Sequence, residues 1–237
     1  MRIAYVMHTD NQTTILLFSR SSRQEALHKR LAGARSYEVS KTLLRHVMRE
    51  ARKTGLPIST CFSAQQEGDT FGERLANATE AVFAQGYSRI IIIGSDSPGL
   101  DASLLQRAHQ RLQSQSVVFG PAQDGGLYLI GLSAGMYDRA SFVNLPWETE
   151  QLHQSFVAQL QLGGVDAHCL PTHIDLDTAQ HFSTWYSALH QGWLQLELSR
   201  FFSDDSGIQR LFRYVAPTFR QNLFACSLRR GPPLFSV

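Results

Sequence analysis

The sequence predicts a single α/β domain on a mixed, mostly parallel sheet, and three observations carry that reading. From about Thr14 to Asp177, short apolar runs alternate with helical patterns, as in β-α units. Several runs are continuously apolar, as strands covered on both faces are. Two of them, 117–120 and 127–132, are joined by only six residues. A parallel crossover needs about a dozen, so at least one strand runs antiparallel or bends away.

The first strand is read at 14–18. Leu43, Leu44, Val47, Met48 and Ala51 then repeat at helical spacing, with Arg45, Arg49, Arg52 and Lys53 on a solvated side and Gly55 and Pro57 as the stop. A strand at 58–62 precedes a helix through Leu75, Ala78, Val82 and Phe83 to Gly86. After a strand at 89–93, Asp101 or Ser103 caps a helix through Leu104, Leu105, Ala108 and Leu112. Strands at 117–120 and 127–132 follow. Leu152, Phe156, Val157 and Leu160 then mark a helix ending at Gly163 and Gly164, and the last strand is read at 165–170.

Beyond Asp177 the pattern becomes helical and aromatic, with Phe182, Trp185, Tyr186, Trp193, Phe201, Phe202, Phe212, Tyr214, Phe219 and Phe224. The division expected is a domain at 1–180 and a helical extension at 181–237. The aromatic stripe either packs on the parent domain or forms a homodimer interface.

With 43% hydrophobic and 18% charged residues, the 237-residue chain can bury a core. A net charge of +2 makes no case for nucleic acid, and Arg220, Arg229 and Arg230 read as solvated. The longest apolar stretches, 3–7, 15–18 and 90–93, fall far short of the roughly 18 residues of a membrane span. His8, Thr9, Asp10 and Asn11 interrupt the start too early for a secretory signal, so the cytoplasm is expected. Cys61, Cys169 and Cys226 are too scattered for a disulfide framework or metal-ligand spacing, and read as buried thiols.

Four segments could carry chemistry. Gly94-Ser95-Asp96-Ser97-Pro98-Gly99 follows an apolar strand, where open α/β sheets bind ligands. Asp96 could there hold a hard cation such as magnesium, or simply cap the next helix. In Gly120-Pro121-Ala122-Gln123-Asp124-Gly125-Gly126, the glycines allow close backbone approach to a ligand, while Asp-Gly is also a hairpin signal. Asp175 and Asp177 share one side if their strand continues and could complete a metal site, or Asp177 caps a helix at Thr178. The stretch from Gln66 to Arg74, with Gly68 and Asp69, is a polar helix entry that could contact a nucleobase or acceptor.

Taken in order, these segments match a known pattern. Gln66 to Arg74, Ile91 to Leu100, Val118 to Leu132, Pro146-Trp147 with Thr149, and Asp175 to Thr178 resemble the bacterial glycosyltransferase-like family of unassigned transferases. That family has the GT-A nucleotide-diphospho-sugar transferase fold and is related to the phospholactate and molybdopterin guanylyltransferases. The resemblance implies a Mg²⁺- or Mn²⁺-dependent transferase acting on a nucleotide or nucleotide-sugar donor and a small-molecule acceptor. Asp96 and Asp177 would hold the metal with Asp175 close by, and Asp124 would orient the acceptor or act as base. Arg20, Arg30, Gln66, Gly68, Asp69, Arg74, Ser95, Pro98, Gly125, Gly126 and Trp147 would contact nucleotide or substrate.

One segment departs from the family. Its phosphate loop, with prolines, a glycine and Lys-Thr-Arg-Leu, is here 20–31, where Glu25 falls on the glycine and His28 on the lysine. A glutamate 4 Å from a phosphate charge opposes it by about 1 kcal/mol in water and about 4 at an effective dielectric near 20. Arg20, Arg23, Lys29 or Arg30 must compensate for triphosphate binding to survive. Glycosyl transfer is therefore favoured over nucleotidyl transfer, and the alternative is a degenerate domain serving as a binding or assembly module. No Gly-x-Gly-x-x-Gly follows the first strand, which argues against a dehydrogenase.

Overall fold

The computed structural model describes residues 13–188 and 192–202. The apolar start at 3–7, Cys226, the three C-terminal arginines and the aromatics from Phe212 onward lie outside the described residues. Strand β1 (Thr13–Ser19) is followed by α1 (Ser22–Lys29), α2 (Ser36–Lys53), β2 (Ile58–Phe62), α3 (Phe71–Phe83), β3 (Arg89–Ile93) and α4 (Ala102–Ser114). Then come β4 (Val117–Pro121), β5 (Leu127–Ser133), α5 (Arg139–Val143), α6 (Leu152–Leu162), β6 (Ala167–Cys169), α7 (Ala179–Ala188) and α8 (Trp193–Phe202).

The strands form one six-stranded sheet in the order β2-β1-β3-β5-β4-β6. β1 runs parallel to β2 and β3, β4 parallel to β6, and β5 antiparallel to both β3 and β4. The short link between β4 and β5 thus makes a hairpin, and β5 is the reversed strand of the mixed sheet.

Strand alternation sends successive residues to opposite faces, and each face carries its own helix layer. Leu16, Phe18, Ile90, Ile92, Phe119 and Ile130 pack with Leu75 and Val82 of α3, Phe142 of α5 and Phe156 of α6. Ile15, Leu17, Ile91, Ile93, Val118 and Leu129 pack with Val47 and Ala51 of α2 and Leu104, Leu105 and Leu112 of α4. Asp101 caps α4, its carboxylate accepting from the Leu104 N–H at 2.7 Å.

A third cluster joins the tail to the body. Phe182 of α7 and Leu194 and Leu198 of α8 are buried with Leu31, Val39, Leu43 and Leu176. Arg49 of α2 lies 4.9 Å over the Trp193 ring, and Arg45 reaches Glu197 at 3.7 Å. Part of the basic side of α2 is therefore roofed by α8 rather than wholly solvated. Cys61 is buried and Cys169 half-buried.

Two local readings are corrected. The segment expected as a phosphate loop is largely helix α1, because the Ser21 hydroxyl caps it by accepting from the Gln24 N–H at 3.4 Å. Arg30, in left-handed conformation at φ 47°, ends it. The last strand begins at Ala167 rather than at 165, because Val165 still closes α6. Its N–H donates to the Leu160 carbonyl and that of Gly164 to Gln161, the paired bonds of a glycine-terminated helix. Among the described residues, no helix is long and apolar enough to cross a membrane.

Candidate functional site

The carboxyl ends of β1, β3 and β4 open onto a cavity of about 510 Å³, the place where α/β sheets of this kind bind ligands. β1 ends at Ser19, whose hydroxyl shares a 2.6 Å hydrogen bond with that of Ser95 just past β3. That bond fixes the strand end from which Asp96 projects. A Cβ at Gly94 would lie 2.7 Å from Asp96 Oδ1, so glycine there leaves the carboxyl its room.

Backbone bonds carry the other aspartates to the same place. The chain at 171–177 runs alongside the end of β4, with the His173 N–H donating to Pro121 and the Gln123 N–H to His173. The Leu176 N–H donates to the Asp96 carbonyl at 3.1 Å, which sets Asp175 and Asp177 beside Asp96. Asp124 sits in the β4–β5 turn, where its carboxylate accepts from the Gly126 N–H at 2.9 Å. Thr178, not Asp177, accepts from the His181 N–H at the start of α7. Asp96 caps no helix either, since Asp101 caps α4.

At the centre of the carboxyls is the Lys29 ammonium. Its Nζ lies 2.5 Å from Asp96 Oδ2, 2.7 Å from Asp177 Oδ1 and 3.1 Å from Glu25 Oε1, and its side chain is only 7% exposed. Glu25 and Lys29 are one turn apart on α1, the spacing that brings side chains together. Arg20 also reaches Glu25 at 3.7 Å and Glu148 at 2.9 Å. Glu25 is thus buried between two cations instead of facing an incoming phosphate alone.

The electrostatics follow from this arrangement. Burial opposes the charge on Lys29, but Asp96, Glu25 and Asp177 outweigh it and hold the ammonium well above the usual lysine range. Burial, reinforced by Asp96, pushes the Asp175 carboxyl well up, although the Ser97 hydroxyl donates to it. Asp124 and Asp177 hydrogen-bond to each other. Burial raises the Asp124 carboxyl, while Lys29 overcomes the burial of Asp177 and lowers it.

Of the residues expected at the site, Arg20, Gln66, Arg74, Ser95, Asp96, Asp124, Gly126, Trp147, Asp175 and Asp177 line the cavity. Arg30, Gly68, Asp69, Pro98 and Gly125 do not. Arg30 is exposed beyond the end of α1, and Gly68 and Asp69 are exposed at the entry to α3. Gly125, at φ 89°, is required by the backbone of Glu150, whose carbonyl oxygen would lie 2.0 Å from a Cβ. Gln66 spends its amide donors on the Ser19 and Cys61 carbonyls, a structural bond between β1 and β2. Trp147 is both wall and packing: it lies 5.6 Å from Phe71 and donates its indole N–H to Phe142.

Sequence reasoning named Lys29 only as one of four compensating cations, yet it is the central one. Its detectable signal was the Glu25–Lys29 spacing, which has meaning only once 22–29 is read as helix.

The cavity has two characters. Seven carboxyl groups, those of Glu25, Asp96, Asp124, Glu148, Glu150, Asp175 and Asp177, face three full cations, Arg20, Lys29 and Arg74. The other wall is apolar, with Phe18, Phe71, Leu75, Leu127 and Trp147. Among the described residues no three carboxyl, histidine or cysteine groups form a ready cage for a metal. A pair does converge, Asp96 and Asp177 meeting on the Lys29 ammonium. One or two carboxylates completed by water and substrate phosphates is the set that magnesium favours. The donors therefore fit a hard divalent cation at the position that Lys29 Nζ fills.

Residues 38–149 match a family model described as an uncharacterized protein conserved in bacteria (DUF2064). No curated protein matches the chain. Among solved structures, the chain is similar to a protein from Desulfovibrio desulfuricans G20 provisionally named a nucleotide-diphospho-sugar transferase. The TM-score is 0.75 at 21% identity, over 84% of this chain and 98% of that one. A cytidylyltransferase from Leptospira borgpetersenii gives 0.46 at 10% identity, over 89% and 99%. A manganese complex of Rv0371C from Mycobacterium tuberculosis H37Rv gives 0.43 at 14%, over 75% and 100%. The first likeness shows the fold, a mixed α/β sheet of the nucleotide-diphospho-sugar transferase type.

Proposed function

We propose that this chain is a Mg²⁺- or Mn²⁺-dependent transferase that uses a nucleotide or nucleotide-sugar donor, with glycosyl transfer favoured over nucleotidyl transfer. One observation carries the reading: Asp96 and Asp177 converge on a single cation position at the carboxyl end of the sheet, in a fold shared with a nucleotide-diphospho-sugar transferase structure. A metal held by these two would neutralise the diphosphate of the donor as the bond to the transferred group breaks. The surplus of carboxyls supports this, since the pocket alone would repel a polyanion.

The chain's own residues take the remaining tasks. Arg20, now bridging Glu25 and Glu148, offers a guanidinium to a phosphate that displaces one of them. Asp124, on the turn facing the cavity, orients an acceptor hydroxyl and, as the carboxylate, takes its proton. Trp147 and Phe71 wall the apolar side and keep water from that part of the acceptor site.

The test is donor binding to Asp96→Ala. The substitution should abolish metal-dependent binding of nucleoside diphosphates and their sugars while circular dichroism stays that of the wild type. Unchanged binding in a folded variant would remove Asp96 from the site and with it the reading. Product analysis separates the two chemistries, because glycosyl transfer releases a nucleoside diphosphate and nucleotidyl transfer releases pyrophosphate.

A further inference from the structure

We propose that the Lys29 ammonium and a divalent cation are alternative occupants of one position between Asp96 and Asp177, so that metal loading displaces Lys29 from both carboxylates. The inference rests on the reading of this site as metal-dependent, and it deepens that reading by assigning Lys29 a role in regulating metal entry.

Lys29 Nζ lies 2.5 Å from Asp96 Oδ2 and 2.7 Å from Asp177 Oδ1. Magnesium binds carboxylate oxygen at about 2.0–2.1 Å, so an ion held by the same two oxygens would fall within the volume of the ammonium. The two cations exclude each other by contact and by charge. In the metal-free protein the lysine keeps two facing carboxylates from repelling one another.

The displaced side chain has a place to go. Glu25 Oε1 is already 3.1 Å from Nζ and belongs to the same helix, so it stays with Lys29 whatever happens to the sheet-end aspartates. The four-carbon stem lets the ammonium swing without moving α1. Glu25 thus acts as the parking partner of the lysine, and the freed ammonium faces the cavity where an anionic donor would lie.

The test uses Mn²⁺ alone, titrated into the full chain and followed by the loss of the free-ion electron paramagnetic resonance signal. Lys29→Met and Lys29→Gln should bind Mn²⁺ at least about tenfold more tightly than wild type, the ratio expected when a resident competitor worth roughly 1.4 kcal/mol is removed. Equal or weaker affinity in the variants, or no binding to any of the proteins, would overturn the proposal. Should both variants fail to fold, reductive methylation of the wild type read by peptide mass spectrometry decides, with Lys41 and Lys53 as internal references. Mn²⁺ should speed methylation of Lys29 severalfold relative to those two, and an unchanged or slower rate counts against displacement. Because the probe is the metal alone, the two ideas fail separately. Tighter Mn²⁺ binding in the variants with no nucleotide binding anywhere would sink the transferase reading and keep this one.

Discussion

Gly125→Ala should destabilise the protein far more than the same change one residue later. At φ 89° an alanine sits in the left-handed region, which costs about 1–2 kcal/mol. Its Cβ would also lie 2.0 Å from the Glu150 carbonyl oxygen, and backbone cannot rotate aside as a side chain can. Relieving such an overlap typically costs about 1–3 kcal/mol. The sum, about 2–5 kcal/mol, lowers the midpoint of a chain this size by roughly 4–20 °C. Gly126→Ala is the control, since the one tight contact of its Cβ is with the Asp124 carboxylate, at 3.1 Å, a side chain free to shift. Thermal unfolding by circular dichroism measures both. A Gly125→Ala midpoint within about 2 °C of wild type would show that the turn and the Glu150 segment are not locked together. The Gly125 carbonyl also accepts from the His153 N–H at 2.8 Å, so the variant should move Asp124 and weaken donor binding as well.

Other expected outcomes are more local. Leu198→Ala, at a position with 0% exposure under α8, should cost about 2–5 kcal/mol in chemical denaturation; a loss under about 1 kcal/mol would mean that α8 does not seal the third cluster. Glu50 is buried, which opposes its charge, but Lys53 at 2.6 Å and the Ala102 N–H outweigh that and lower its carboxyl below the usual 4.5. A lowered carboxyl gives stability that is present above the unfolded value and is lost as pH falls through the folded one. The thermal midpoint of the wild type should therefore fall more steeply below about pH 4.5 than that of Glu50→Gln. Parallel acid limbs would contradict the assignment. Arg20→Ala should weaken binding of a nucleoside diphosphate more than binding of the nucleoside, and an equal loss for both would take Arg20 off the phosphates.

The sheet was largely legible in the sequence because its strands are continuous apolar runs between clear stops. Ile90 to Ile93 admit no polar face, and Gly163 with Gly164 end α6 as read. The six-residue link revealed the antiparallel β5 through chain reach alone. Segment 20–31 was not legible, because α1 has little amphipathic pattern: it buries the charged Glu25 and exposes Leu27. Periodicity finds helices through their apolar faces, and this one is held by a serine cap and ion pairs instead. Asp96 and Asp124 follow strand ends directly, whereas Asp175 and Asp177 lie beyond the end of β6, and it was the family resemblance that tied all four together. Their mutual arrangement was not legible, since it depends on the Leu176 bond to Asp96 across the sheet end.

The most direct measurement is thermal unfolding of the wild type against nucleoside triphosphates, diphosphates and nucleotide sugars, each with Mg²⁺, with Mn²⁺ and with a chelator. A ligand at about 100 times its dissociation constant adds roughly 2.7 kcal/mol, which at 2–4 °C per kcal/mol is a shift of about 5–11 °C. The expected result is such a shift for one donor class, present with metal and lost with chelator. No shift with any nucleotide, under any metal condition, would contradict the assignment of this cavity to a nucleotide-dependent transferase and favour a binding or assembly role.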